Sequence, residues 1–214
     1  EYGGMNDSLA NLYEYTGNQM HLEAARFFDN DALFDPCAGN QDRLSGKHAN
    51  QHIPQTTGAL RIFDNTNDSY YYNVAENFWH MVTEHHAYII GGTSEGEMFR
   101  GADQIAAYIN NNTCETCCAY NMLKLTRRLF FHDPRAEYMD YYERTLYNQI
   151  LGSQDPTSSH GFVTYMMPLG QAARRGYSSD YKNFTCCHGT GMENHTKYQE
   201  QIYSRSSDNG TLYL

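Results

Sequence analysis

Apolar residues recur at the three- and four-residue spacing of a helix, and three times the stripe breaks and resumes almost at once. Leu12 to Asn18 is followed by Leu22 to Phe28, Leu60 to Asp68 by Tyr72 to Trp79, and Leu125 to Pro134 by Tyr138 to Arg144. Each break is a short cluster of Gly, Asn, Asp or Pro, the residues that stop a helix, with Asp or Ser available to cap the next one. The pattern predicts three αα-hairpins at irregular spacing, which excludes a regular solenoid and fits a toroidal α/α barrel. Long Gly-rich and polar loops are predicted between them: from Asp35 through His48 and His52 to Pro54, from Gly91 to Cys114, and from Asp155 to Gly191. Loops of such length in a compact domain carry function more often than scaffold. The closing Thr211-Leu212-Tyr213-Leu214 reads as the start of a strand.

Composition narrows the partners. With 214 residues and 40% hydrophobic content the chain can bury a sizeable core, and no apolar run nears the roughly 20 residues that span a bilayer. Net charge is −10, and the Arg127-Arg128 and Arg174-Arg175 pairs stand isolated, so neither nucleic acid nor membrane is an expected partner. Nineteen Tyr suit either helix packing or a carbohydrate cleft. Asn-X-Ser/Thr sequons begin at Asn6, Asn67, Asn111, Asn183, Asn194 and Asn209, but in an Asn-rich chain they imply no glycosylation. Compartment and oligomeric state are not legible; bacterial cytoplasm, periplasm and export all remain open.

Five of the six cysteines fall in two knots, Cys114-Glu115-Thr116-Cys117-Cys118 and Thr185-Cys186-Cys187-His188, each placed directly before a predicted helix. Helix N-termini favour thiolates, and zinc takes four N, S or O ligands. Glu115, Cys117, Cys186 and Cys187 would supply three sulfurs and a carboxylate. A zinc staple joining two loops is the plainer reading. A redox pair of Cys114 and Cys117 is weaker without a βαβ context. Glu95 and Glu97, in the loop Gly91 to Phe99, are either solvated charges or a general acid/base. His48 and His52 could hydrogen-bond sugar hydroxyls. His85 and His86 read as cations at a helix C-terminus, and His188 as a neighbour of the metal, with ligation of the metal left open.

Several stretches together resemble glycoside hydrolase families 127 and 146, the β-L-arabinofuranosidases: Glu1-Tyr2-Gly3-Gly4-Met5-Asn6, Lys47-His48-Ala49-Asn50, Gly91-Gly92-Thr93-Ser94, Glu115-Thr116-Cys117, Tyr120 to Leu125, Tyr141 to Arg144, Ser153 to Pro156 and Cys186 to Asn194. The resemblance implies an all-α (α/α)6 barrel, here an incomplete segment over residues 1–210, with 211–214 opening a β-rich accessory domain. It implies a Zn2+ cofactor on Glu115, Cys117, Cys186 and Cys187, Cys186 as nucleophile, and Glu97 as acid/base with Glu95 as fallback. Glu1, His48, His52 and His188 are the expected substrate contacts. The implied reaction is retaining hydrolysis of terminal β-L-arabinofuranosyl units from a plant-type oligosaccharide or glycoprotein glycan. Another glycone, or a zinc-stapled carbohydrate-binding domain without turnover, are the alternatives. Cys114 and Cys118 depart from the resemblance and are read as buried small residues.

Overall fold

A computed structural model describes residues 3–181 and 184–214. Its helices are α1 (Met5–Thr16), α2 (Gln19–Arg26), α3 (Asp31–Ala38), α4 (Ala49–Thr66), α5 (Ser69–Met81), α6 (Thr116–His132), α7 (Ala136–Thr145) and α8 (Cys186–Glu193). The three expected hairpins are α1–α2, α4–α5 and α6–α7, and each pair packs together. Their turns follow from local chemistry. Gly17 and Asn67 end α1 and α4 in the left-handed region, at φ of 65° and 55°. Asn18 and Asp68 then accept the N–H of Met20 and Tyr70, each at 3.1 Å, to start the next helix. The third restart has no such cap; Arg135 begins it and lies 4.7 Å over the Tyr138 ring.

α4 forms the centre, with α1, α5 and α6 against it, and α7 and α8 packed on α6. Ile53, Leu60, Ile62, Phe78, Met122, Leu123, Tyr138 and Tyr141 fill the interior. Trp79 lies edge-on to Tyr138 at 4.6 Å and donates its indole N–H to Thr126 Oγ1 at 2.8 Å. Gly58, in mid-helix, is there for close approach: any Cβ would strike the Asn6 side chain, which is wholly buried and donates to the Gln55 carbonyl at 2.8 Å. No glycan fits on Asn6, and Asn183 lies outside the described residues.

The segment 35–54 departs from the sequence reading. Asp31–Ala38 is a helix, and α4 already begins at Ala49, so His52 and Pro54 lie inside it rather than in a loop. The period was masked by polar residues on the face of α4 that meets Asn6 and Asn30. The two cysteine knots shift as well. α6 starts at Thr116 and α8 at Cys186, so Cys117, Cys118, Cys186 and Cys187 sit inside first turns rather than before them.

Two π-helical turns, Val82–His86 after α5 and Leu146–Ile150 after α7, build the seat for the functional loops. Tyr141 donates to the Gly91 carbonyl at 2.9 Å, Gln149 to that of Cys114 at 2.8 Å, and Thr93 to that of His86 at 2.8 Å. A Cβ on Gly91 would collide with Thr145, and one on Gly92 with Gln149 and Cys114. The chain therefore needs Gly-Gly where the loop passes against α7 and the turn after it. A short hairpin of β1 (Ser204–Arg205) and β2 (Leu212–Tyr213) lays Tyr213 edge-on to Phe130 of α6, at 5.5 Å. Among the described residues no helix is long and apolar enough to cross a membrane.

Candidate active site and metal centre

The first turns of α6 and α8 face each other. Glu115, Cys117, Cys186 and Cys187 each place one ligand atom within 4.8 Å of all the others. Glu115 Oε1 lies 3.6 Å from both Cys186 Sγ and Cys187 Sγ, and Cys117 and Cys187 are 3.1 Å apart. Zinc bonds of ordinary length would give tetrahedral edges of about 3.5–3.8 Å, so two of these distances match and the third is shorter. Burial forces the chemistry of the donor set. Glu115 is fully buried, which raises its carboxyl pKa. The Cys187 thiol is pushed far up by its hydrogen bond with the Cys117 thiol and by burial. Desolvation takes Cys186, the one exposed member, up to about 11. Groups so reluctant to ionise lose their protons in exchange for a cation. The residues present therefore fit a soft divalent metal such as zinc.

Beside this cluster stands a second one. Glu97 follows Gly96 in the turn that pairs His48 with Met98, and holds φ of +70°. That conformation costs an ordinary residue roughly 1–2 kcal/mol. Glu97 Oε2 lies 3.4 Å from His48 Nε2, while Tyr165 donates its hydroxyl to Glu97 Oε1. The same hydroxyl lies 3.6 Å from Cys186 Sγ, within sulfur's longer reach. Tyr165 therefore joins the exposed thiol to the carboxylate. Sequence reading did not single it out: it is one of nineteen tyrosines, 50 residues from Glu115 along the chain.

The remaining candidates separate by their partners. Glu95 is committed to Asn110 at 3.0 Å and Arg100 at 2.7 Å; Asn110 and Arg100 hold its pKa below the usual carboxylate value. Its carboxylate braces the loop through these two partners. His52 sits one turn into α4 with Nδ1 2.7 Å from the His48 carbonyl, and burial lowers its pKa. His188 caps α8, its Nδ1 accepting the Thr185 N–H at 3.0 Å, and it is not one of the four residues grouped as metal ligands among the described residues. Glu1 lies outside the described residues.

His85 and His86 are not simple helix-end cations. His86 is buried, with Nε2 2.7 Å from Asp42 Oδ2, and His85 pairs with Asp103 at 3.0 Å. Cys114 packs against Tyr88 and Met167 as a buried small residue. Cys118 is buried too, but its Sγ lies 3.5 Å from Glu115 Oε2, opposite the oxygen that faces the thiols.

The family model described as the GH127 catalytic domain of β-L-arabinofuranosidase matches residues 1–200. Among solved structures the chain resembles the GH127 β-arabinofuranosidase BT3674, at 27% identity and a TM-score of 0.64, over 77% of this chain and 27% of that one. It shares its fold with a structure titled glycoside hydrolase, at 17% identity and a TM-score of 0.74, over 92% of this chain and 38% of that one. The same holds for a GH127 β-L-arabinofuranosidase from Geobacillus stearothermophilus T6, at 20% identity and a TM-score of 0.70, over 95% of this chain and 38% of that one. A search of curated proteins returns no match. The chain thus spans roughly a quarter to two-fifths of the length of the solved structures it resembles. Its hairpins are an incomplete segment of their helical, barrel-like fold. On the match over residues 1–200, and with the Glu-Cys cluster between α6 and α8, the chain belongs to glycoside hydrolase family 127.

Proposed function

We propose that the protein containing this chain is a retaining glycosidase that removes terminal β-L-arabinofuranosyl residues, with Cys186 as nucleophile and Glu97 as acid/base. The observation that carries the reading is the linked path from Cys186 Sγ through the Tyr165 hydroxyl to the Glu97 carboxylate. The thiol donates to Tyr165 and Tyr165 donates to Glu97, so proton transfer along the path strips the sulfur and protonates the carboxyl. Those are the two protonation states that a first displacement needs. A zinc ion on Glu115, Cys117, Cys186 and Cys187 would supply the positive charge that keeps the thiols ionised at neutral pH.

In the first step Cys186 Sγ forms a bond to the anomeric carbon as the bond to the leaving oxygen breaks. Glu97 gives its proton to that oxygen. In the second step Glu97 takes a proton from water, the water oxygen bonds to the anomeric carbon, and the carbon–sulfur bond breaks. His48 Nε2 lies beside Glu97, where its one N–H is proposed to pass from the carboxylate to a sugar hydroxyl when substrate binds; the imidazoles of His52 and His188 are the further contacts proposed on this side. Substrates are proposed to be plant-type oligosaccharides or glycoprotein glycans ending in this sugar.

The test is time-resolved mass spectrometry of the full-length, zinc-loaded protein with an aryl β-L-arabinofuranoside. A pentose-sized adduct on Cys186 that decays with time is expected. Zinc bound with neither adduct nor released phenol would defeat this glycone, and inactivity towards other furanosides as well would leave a carbohydrate-binding role.

A further inference from the structure

α8 carries two of the four candidate ligands, yet it has little apolar surface to hold it. Its buried residues are Cys187 and Gly191, whereas α6 buries eleven of its seventeen positions. Met192 is 69% exposed and points no side chain into the core. Hydrophobic burial therefore cannot fix the helix to the precision that a metal site requires, since Gly191 and a Cys contribute little area.

Polar contacts take over that task. Tyr120 lies one turn beyond Cys117 on α6, is buried, and donates its hydroxyl to Glu193 Oε2 at 2.5 Å. Glu193 is the last residue of α8, so the bond ties its far end to the helix that carries Cys117. The chain then turns through Asn194–Lys197 and brings the Lys197 ammonium to 4.9 Å from the Tyr120 ring centroid. Lys197 is almost fully buried and is neutralised by Glu200 at 2.6 Å. Glu200 in turn accepts from Tyr142 of α7 at 3.3 Å and pairs with Arg127 of α6 at 3.4 Å. Nearer the metal end, Thr190 Oγ1 lies 3.3 Å from Cys117 Sγ.

We propose that the Tyr120–Glu193 bond, backed by Lys197 and Glu200, is a positioning clamp that presets the Cys186–Cys187 turn against Glu115 and Cys117. By ordering α8 before metal arrives, the clamp raises metal affinity, and it fixes where the exposed Cys186 sulfur points. The proposal rests on the metal-site reading given above, although its local part does not depend on it. Removing the clamp leaves all four ligands in place but makes binding order α8 as well, as loss of an outer contact does at other metal sites.

The test uses the full-length protein and four variants: Tyr120→Phe, which keeps the buried ring, Glu193→Gln, Glu193→Ala, and Tyr120→Phe with Glu193→Ala. Zinc affinity is read by chelator competition, and hydrogen exchange of residues 186–193 is read in the metal-free protein. Tyr120→Phe and Glu193→Ala should each weaken zinc binding by about tenfold or more and speed exchange in 186–193. Glu193→Gln, still able to accept the Tyr120 hydrogen bond, should stay within about threefold of wild type, and the double variant should be no worse than the worse single. Affinity and exchange unchanged in both Tyr120→Phe and Glu193→Ala would overturn the clamp. Faster exchange in the variants of a wild type that binds no zinc would keep the clamp and refute the metal site instead.

Discussion

Replacing Tyr165 with Phe is the sharpest probe of the proposed chemistry, because it deletes one oxygen from the path between nucleophile and acid/base. The hydroxyl donates to the Glu97 carboxylate and accepts from Cys186, and Tyr165 itself is not one of the four candidate metal ligands. The side chain is only partly buried and makes its turn through the backbone, its carbonyl accepting the Thr116 N–H at 3.0 Å. Phe in its place should therefore leave folding and zinc stoichiometry near wild type. A hydrogen bond to a charged partner contributes about 1.5–3 kcal/mol. If that contribution is realised in the transition state, kcat/KM falls by roughly 10- to 150-fold at 1.36 kcal/mol per decade. The assay compares an alkyl and a nitrophenyl arabinofuranoside on the full-length protein. Protonation of the leaving oxygen matters more for the alkyl group, so the loss should be larger there. A loss below threefold on both substrates, with zinc still bound, would refute the relay.

Cys186→Ser should abolish the covalent adduct while the remaining three ligands still hold metal, whereas Cys187→Ser should lower both zinc occupancy by elemental analysis and the melting temperature. Gly92→Ala should destabilise the protein by at least about 2 kcal/mol, the scale of core overpacking, measured by denaturant titration, because the new Cβ meets Gln149 and Cys114. Asn110 and Arg100 lower the pKa of Glu95, so its contribution to stability is present above the unfolded value near 4.5 and is lost as pH falls through the folded value. Acid titration followed by circular dichroism should accordingly show a shallower loss of stability below pH 4.5 in Glu95→Gln than in wild type.

The three hairpins were legible in the sequence because their information is local. Stripe, αL stop and Asx cap lie within a few residues of one another, as at Gly17-Asn18 and Asn67-Asp68. The same locality exposed the two cysteine knots as chemistry, and the spread of motifs tied them into one family. α3 and the true start of α4 were not legible; in α4, buried Asn6 and Asn30 satisfy the polar Gln55, at the edge of what reads as loop. Only tertiary structure separates Glu97 from Glu95: two residues apart, one faces His48 and Tyr165 while Arg100 and Asn110 occupy the other. Tyr165 reaches Cys186 across 21 residues and Glu97 across 68, and Tyr120 reaches Glu193 across 73. Contacts at such separations leave no periodic trace in the chain, because their geometry is set by how α4, α6 and α8 pack. The sequence by itself thus determined the three helical hairpins and the kinds of ligand atom available. Packing decided which carboxylate, hydroxyl and thiol meet, because distance and burial belong to the folded chain alone.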